Sequence, residues 1–433
     1  MNSIESMTST KLFLFCAFAF YFASPTVDAQ IKTVSGIVQD AESGAPLPFA
    51  TVGIENSSIG TTTNTDGKFI LSIPKEYDSA KIIISYMGYE SYRLNPDKKQ
   101  APFVIELSPI SITLEEVEVR PWEAWDYVKR AMQKVPDNYP NTAYGTEGYF
   151  STLLTEDDAY LKFSEAVVKT YQPAYGDTAQ SQTKLIQARK FKNPASFDFM
   201  RERIEKRMAK EERKAKKKGE EYESTDIDEE IAGSSLGTPD DVINADPIRD
   251  TAEYLDEDLR HYFDYTVEGY TFMYNQKVVI IGFESNKKHE QQKHKGKIYI
   301  SMENDAILAI EDHIRILIPD IVRPVAFLFA IGFTDPEIHL ITHYKPVGNK
   351  WYLNYYDLQG GMLLKHKKMF KKNDKSHFKI HMSYIVSAIQ TEGVQPIPED
   401  ERLDRSKDFA DQVEEDPVFW SQYKVSRPEN VTQ

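Results

Sequence analysis

Apolar and polar residues alternate with a period of two along the chain from about residue 33 to residue 107. Segments 50–55, 68–73 and 103–107 place their apolar side chains mostly on one side and polar side chains on the other. This alternation is typical of β-strands with one buried face. Asn, Asp and Gly residues at 40–44 and 64–67 favour tight turns between such segments. About seven short strands of this kind predict a β-sandwich.

Four motifs of this region occur in an order that is known from one family. They are residues 34–40, 44–52, 60–69 and 85–89. Through them, residues 30–108 resemble the carboxypeptidase regulatory-like domain, which has a transthyretin-like fold. The resemblance implies docking or scaffolding, because related domains stand at the front of many Gram-negative envelope proteins, including TonB-dependent transporters. It implies no peptidase activity, since the domain carries none of the zinc ligands of carboxypeptidases.

Residues 109–140 are predicted to form a linker and one short helix. Trp122 and Trp125 belong to a set of bulky residues at helical spacing, and Pro136 and Pro140 end the pattern. The two tryptophans indicate either packing of the helix onto the following sheet or a platform for a ligand. Packing is the preferred interpretation.

Long alternating segments rich in Tyr and Phe follow, within residues 141–395. They predict one large, curved antiparallel sheet. The predicted strands are 145–154, 159–171, 184–191, 262–270, 277–284, 296–302, 306–316, 337–344, 350–358, 362–368 and 378–389. Residues 396–433 are predicted to form a polar C-terminal tail. The predicted fold class is therefore mainly β.

The β-rich region is similar to a group of uncharacterised envelope proteins in which a regulatory-like domain precedes such strands. Segments 148–150, 164–168 and 295–300 carry this resemblance. The segment 295–300, followed by 306–311, also resembles the half-barrel of lipoprotein carriers in the rhythm of its strands. This second resemblance implies a carrier of a hydrophobic ligand, although a fold alone does not determine function.

A charged insertion, residues 195–238, separates the predicted strands into two groups. Residues 201–230 contain ten Lys or Arg and eleven Asp or Glu residues. Charges of both signs at helical spacing predict a solvated helix that continues into an acidic loop. A membrane-surface helix would need an apolar face, for which Ile204 and Met208 are nearly the only candidates.

The first 29 residues have the pattern of a secretory signal peptide. Lys11 precedes an apolar run at residues 12–23, and small residues precede a predicted cleavage between Ala29 and Gln30. Twelve apolar residues are fewer than the roughly 20 that span a bilayer. We therefore expect export to the periplasm or to the periplasmic face of the outer membrane. After removal of the signal we expect no transmembrane segment, and peripheral contact with a membrane stays open. Removal of this segment would also remove Cys16, the single cysteine.

The acidic composition argues against one class of partner. The formal net charge is −15 at pH 7, whereas a nucleic-acid-binding domain normally presents a concentrated basic face. We therefore expect no nucleic-acid partner. The chain contains neither a phosphate-binding loop nor a dinucleotide glycine motif nor a nucleophile elbow, so that no cofactor and no catalytic residue is predicted.

The histidines do not match a known metal-binding pattern. His289 and His294 lie five residues apart, and residues with this spacing do not share one face of a helix. The pairs 339/343 and 377/381 have helical spacing but occur in predicted strands, where residues four apart are separated by about 13 Å. The sequence analysis therefore predicts no metal site.

A strongly apolar stretch at residues 314–333 has two interpretations. Pro319 and Pro324 interrupt it, so it closes the core of the sheet or lines an apolar pocket for an acyl chain. Core closure is preferred. The residues that would line the pocket are Val325, Phe327, Leu328, Phe329 and Phe333.

These observations lead to three functional hypotheses. The first is a non-catalytic envelope protein that binds or scaffolds, with an unknown envelope protein or a hydrophobic ligand as partner. The second is a carrier of a lipid or another hydrophobic ligand in the half-barrel. The third, with the least support, is an accessory domain of an unrecognised hydrolase.

Overall fold

The computed structural model describes residues 32–96, 102–110, 122–157, 159–192, 198–219, 237–289, 292–317, 331–366 and 374–425. The predicted signal peptide and its cleavage site at Ala29 and Gln30 lie outside the described residues. Among the described residues, no helix combines the length and the apolar character needed to cross a membrane.

The N-terminal region forms the predicted sandwich of seven strands. They are β1 (Lys32–Asp40), β2 (Thr51–Ile54), β3 (Gly60–Thr62), β4 (Lys68–Ile73), β5 (Ile82–Ser85), β6 (Tyr92–Leu94) and β7 (Phe103–Leu107), with a 3-10 turn at Lys75–Tyr77. One sheet has the order β4-β1-β7 and the other β3-β2-β5-β6. Val38, Phe69 and Ile84 are buried in the shared core, as the period-two pattern requires.

The predicted linker helix consists of two short helices, α1 (Ala124–Gln133) and α2 (Val135–Asn138). The Asp126 carboxylate caps the start of α1 by accepting a hydrogen bond from the Glu123 N–H at 2.9 Å. Trp125 is 6 % exposed, and its ring lies 5.0 Å from that of Tyr265 on the neighbouring sheet. This confirms that the helix packs onto the sheet.

The second region is one large antiparallel sheet, as predicted. Its strands are β8 (Tyr144–Glu156), β9 (Ala159–Gln172), β10 (Gln182–Lys192), β11 (Phe263–Met273), β12 (Gln276–Ser285), β13 (Gln292–Ser301), β14 (Ile307–Ile316), β15 (Ile331–Phe333), β16 (Glu337–Val347), β17 (Lys350–His366) and β18 (Asp374–Gln390). The order is β10-β9-β8-β18-β17-β16-β14-β13-β12-β11, and β15 pairs with β17. The mainly β fold class is therefore confirmed.

The sandwich packs directly against the large sheet. The ring of Phe49 stacks on that of Tyr355, with 5.0 Å between centroids. The buried amine of Lys345 donates hydrogen bonds to the carbonyl oxygens of Ser58 at 2.9 Å and Val386 at 3.4 Å. The contact therefore combines aromatic packing with hydrogen bonds from one buried amine.

The described part of the insertion is helical, as predicted. Helix α3 (Asp198–Lys218) carries an ion pair one turn apart, between Glu212 and Lys216. A short helix, α4 (Pro239–Asn244), follows and is capped by Thr238. Between β10 and β11 the structure adds 3-10 turns at Glu253–Leu255 and Arg260–Tyr262.

The C-terminal segment, predicted as a polar tail, packs on the sheet through a few apolar side chains. Phe409 and Trp420 are 2 % and 4 % exposed. The segment contains 3-10 turns at Glu399–Glu401 and Phe409–Asp411 and helix α5 (Pro417–Gln422). The Trp420 ring lies 4.5 Å from the guanidinium of Arg189 on β10, which ties the segment to the sheet.

Candidate functional site

A row of polar side chains crosses five strands of the large sheet. His313 on β14 pairs with Lys295 on β13 and with His339 on β16, and the row continues through Gln359 on β17 to His381 on β18. Directly paired residues of antiparallel strands point to the same side of a sheet. We call this side, defined by His313, His339, Gln359 and His381, the histidine face.

A cavity of about 1150 Å³ lies along this row. Besides the four residues that define the histidine face, its lining includes Thr65, from the turn between β3 and β4 of the sandwich. The cavity therefore lies where the sandwich and the large sheet meet. Its volume is above the range of roughly 300–1,000 Å³ that is common for small-molecule sites.

The charged lining of the cavity is more basic than the protein as a whole. Its cationic side chains are Lys293, Lys295, Arg315 and Lys379, accompanied by His313, His339, His377 and His381. Its carboxylates are Glu284, Asp335 and Glu337. In a chain with a net charge of −15, this composition favours an anionic ligand at this place.

Apolar side chains share the same lining. On the histidine face they are Leu153 from β8 and Leu363 from β17, the direct partners of His381 and His377. Burial of apolar ligand surface stabilises a complex by roughly 25 cal/mol per Å². The cavity can therefore bind both a charged group and an apolar group of one ligand.

The most strongly held polar group of the histidine face is the buried carboxylate of Asp357, which is 0 % exposed. It accepts hydrogen bonds from the Tyr355 hydroxyl at 2.7 Å, from the Gln359 amide at 2.9 Å and from Nε2 of His381. Burial lowers the pKa of His381, but the hydrogen bond and the charge of Asp357 outweigh burial, so that the net shift is upward. Asp357 thus favours a protonated, cationic His381 beside the cavity.

Two other histidines of this region are held in the neutral form. Burial, followed by the charge of His313, lowers the pKa of His339. Nε2 of His339 is buried and has no hydrogen-bond partner among the described residues. Burial also lowers the pKa of His343 to about 4. The pKa values of histidines on the same sheet are therefore shifted in opposite directions. Burial lowers those of His339 and His343, whereas Asp357 raises that of His381.

The structure places the predicted candidate residues as follows. The pairs 339/343 and 377/381 lie on β16 and β18, which confirms their strand environment. Val325, Phe327, Leu328 and Phe329 lie outside the described residues, as does the side chain of Phe333. The apolar pocket at these residues therefore stays a prediction.

His289 and His294 lie close together in the structure although their spacing in the sequence did not indicate this. They do not share a helix face, yet their rings lie 5.9 Å apart, because a turn places His289 beside the start of β13. Glu253, from the 3-10 turn before β11, joins them. The sequence analysis considered only a helical metal site, and no local pattern pointed to Glu253.

The comparisons with known proteins agree with the N-terminal part of this description. Residues 34–119 match the family model of the CarboxypepD_reg-like domain. The predicted resemblance is therefore confirmed, and the N-terminal region carries a domain of this class. The match covers less than half of the chain. No curated protein matches the chain in sequence.

Two solved structures show a weak similarity to the chain. One is a DUF1329 family protein from Desulfovibrio piger, with 9% identity over 63% of this chain and 93% of that chain, at a TM-score of 0.20. The other is a protein of unknown function from Bacteroides fragilis, described as membrane-associated, with 10% identity over 83% of this chain and 98% of that chain, at a TM-score of 0.15. At these TM-scores neither similarity supports a functional argument.

Proposed function

We propose that this chain is a non-catalytic binding protein of the cell envelope, and that its cavity holds a ligand with a negatively charged group and an apolar part. The observation that carries the proposal is the mixed lining of the cavity. Basic side chains and histidines outnumber carboxylates there, and the apolar side chains of Leu153 and Leu363 lie among them. An acidic amphiphile matches both parts of this lining.

The arrangement of the histidine face supports binding rather than catalysis. The Asp357 carboxylate takes three hydrogen bonds from its neighbours and favours the cationic form of His381. The hydroxyls of Ser151 and Ser383 bond to each other at 2.9 Å. A histidine whose cationic form is favoured in this way is suited to bind an anion by a charge-assisted hydrogen bond.

Two observations support a location in the cell envelope. One is the apolar segment at residues 12–23 with its predicted cleavage site. The other is the CarboxypepD_reg-like domain at residues 34–119, because related domains stand at the front of envelope proteins. Cell fractionation together with the intact mass of the purified protein tests this part of the proposal. We expect a chain that begins at Gln30, and a cytosolic chain that retains residue 1 would contradict it.

Titration calorimetry with dodecyl phosphate tests the cavity, because this probe combines a phosphate with an apolar chain. Dodecanol lacks the charge and inorganic phosphate lacks the chain, so both serve as matched probes. We expect saturable binding of dodecyl phosphate and binding of each matched probe that is at least about tenfold weaker. Equal affinity for dodecanol would contradict an anion site, and equal affinity for inorganic phosphate would contradict an apolar one.

A double variant then assigns the binding to the cavity. Arg315→Gln with Lys379→Gln removes two exposed cations of the lining. Lys210→Gln with Lys217→Gln makes the same change of charge on the exposed helix α3. We expect the cavity variant to bind dodecyl phosphate about tenfold more weakly and the helix variant to bind it unchanged. Equal losses in the two variants would place the anion elsewhere.

A further inference from the structure

A second cluster of polar groups lies around His294, whose side chain points to the side of the sheet opposite the histidine face because Lys295, the next residue, pairs with His313. It combines three segments of the chain: Glu253 from a 3-10 turn, His289 from the turn after β12, and His294 from β13. The atoms of these three side chains that could bind a metal all lie within 4.8 Å of one another. The side chains of the two histidines are 10 % and 7 % exposed, whereas that of Glu253 is 41 % exposed.

Both histidines direct the same ring atom at one carboxylate oxygen. Oε2 of Glu253 lies 2.7 Å from Nε2 of His289 and 3.9 Å from Nε2 of His294. In a tetrahedral zinc site with bonds of about 2.0–2.2 Å, two ligand atoms are roughly 3.4 Å apart. The observed separations lie on either side of that value. A small movement of the exposed Glu253 side chain would therefore be sufficient to bring both distances to the ligand–ligand separation of a zinc site.

The tautomer of His294 is set by a buried carboxylate behind it. Nδ1 of His294 donates a hydrogen bond to Oδ2 of Asp312 at 2.8 Å, and Asp312 is 1 % exposed. With its proton on Nδ1, the ring presents the lone pair of Nε2 toward Glu253. A carboxylate that orients a histidine in this way is the usual support of a histidine that binds a metal.

This lone pair is not used by the described residues. Nε2 of His294 is buried and has no hydrogen-bond partner among them. Buried polar atoms are nearly always paired, and an unpaired one in a folded protein calls for an explanation, of which a bound ion is one. A purely structural role for the His294–Asp312 pair explains why Nδ1 is hydrogen-bonded. It does not explain why the buried Nε2 has no hydrogen-bond partner among the described residues.

The surroundings of the cluster restrict the rings and lower the local polarity. The ring of Tyr254 lies 5.8 Å from that of His294, and the ring of Phe263 lies 5.6 Å from that of His289. The half-exposed side chain of Glu253 gives the cluster access to solvent. Three protein ligands at such a place leave a coordination position for water or for a bound anion, as in open zinc sites.

We propose that Glu253, His289 and His294 form a binding site for one divalent transition-metal ion of the zinc type, with Asp312 as a positioning residue. Two neutral imidazoles and one carboxylate are ligands that Zn²⁺ accepts readily, whereas Ca²⁺ and Mg²⁺ prefer oxygen atoms alone. Nδ1 of His289 is buried without a hydrogen-bond partner among the described residues. His289 therefore lacks the support that Asp312 gives to His294, and we expect it to be the more weakly held ligand.

The test is a calorimetric titration of the purified protein with ZnCl2 after removal of metals with a chelator. We expect one ion per chain, and little heat with MgCl2. Glu253→Gln removes a half-exposed ligand and His289→Ala a buried one. His261→Ala removes a nearby exposed histidine that does not belong to the cluster. Affinity for Zn²⁺ should fall at least about tenfold in the first two variants and stay unchanged in the third.

The variant Asp312→Asn tests whether Asp312 positions His294 and is not itself a metal ligand. All three ligands remain, so the stoichiometry should stay at one while the affinity for Zn²⁺ falls about 10–100-fold. The visible spectrum of the Co²⁺-substituted protein gives a second readout, with intense bands that indicate tetrahedral nitrogen and oxygen ligands. Circular dichroism checks that each variant is folded. The proposal is overturned if wild type shows no saturable Zn²⁺ binding, or if Glu253→Gln and His289→Ala bind Zn²⁺ as wild type does.

Discussion

The imidazole rings of His313 and His339 are stacked across β14 and β16, with centroids 4.0 Å apart and planes inclined by 10°. The two residues are direct partners in the antiparallel register. Simultaneous protonation of both rings would place two positive charges in contact. Together with burial, this repulsion explains why the pKa of His339 is lowered.

The first prediction concerns the stability of this pair in acid. Since the pKa of His339 is lower in the folded protein than in the unfolded chain, the unfolded state binds more protons as the pH falls below about 6.5. Stability is therefore lost on acidification. His339→Gln should lose less stability than wild type between pH 7.5 and pH 5.5, by at most about 1.4 kcal/mol. Urea unfolding at the two pH values measures this difference. The exposed His377→Gln serves as the control, and an equal effect of both substitutions would count against the stacked pair.

The second prediction concerns His381. Asp357→Asn removes the charge that raises the pKa of His381 and leaves burial as the main remaining influence, so that this pKa should fall. A proton NMR titration of the His381 ring measures it. Ser383→Ala changes the cross-strand partner of Asp357 without a change of charge, and should leave the pKa of His381 unchanged. An unchanged pKa in Asp357→Asn would show that Asp357 does not hold the imidazolium.

The third prediction concerns Lys345, the buried amine at the junction of the sandwich and the sheet. Burial lowers its pKa from 10.5 to about 7. Between these values the unfolded chain binds a proton that the folded protein does not, so this group makes stability rise with pH, by at most about 1.4 kcal/mol per unit. Lys345→Met should remove that rise between pH 7 and pH 9 in urea unfolding. Lys295→Met, at a side chain that is 72 % exposed, should retain it, and loss of the rise in both variants would assign it to another group.

The fourth prediction concerns the buried ion pair of Arg189 and Glu165. Nε of Arg189 lies 2.6 Å from Oε1 of Glu165, and the side chains are 7 % and 0 % exposed. Arg189→Met leaves a buried carboxylate without its cation and should destabilise the protein by about 3–5 kcal/mol. Addition of Glu165→Gln should restore part of this loss, since the uncompensated charge is then gone. Chemical unfolding of the two variants gives the comparison. A double variant that is less stable than Arg189→Met would refute this explanation.

The pattern of residues within a segment was sufficient to predict those strands and helices whose conformation depends mainly on that segment. The alternation at residues 68–73 predicted a strand that the structure confirms as Lys68–Ile73. The mixed charges of the insertion predicted a helix, and Asp198–Lys218 is one. The C-terminal segment gave no such signal, because its buried residues Phe409 and Trp420 are too far apart to form a periodic pattern.

The candidate sites could not be predicted because they depend on partners in other segments. His313 faces His339 only through the register of β14 and β16, which long-range packing sets. Glu253 and His289 meet across 36 positions of the chain. Histidines were noticed in the sequence, but their spacing within a segment carried no information about which ones would share a face of the sheet.

The central claim is that the cavity on the histidine face holds an acidic amphiphile. Native mass spectrometry of the protein purified from its own cell envelope tests it most directly, with the Arg315→Gln, Lys379→Gln variant and the Lys210→Gln, Lys217→Gln variant as companions. We predict that wild type and the helix variant carry one co-purified organic acid with an apolar chain, and that the cavity variant has lost it. A wild-type protein at its bare mass, or an adduct that is retained equally in all three proteins, would contradict the claim.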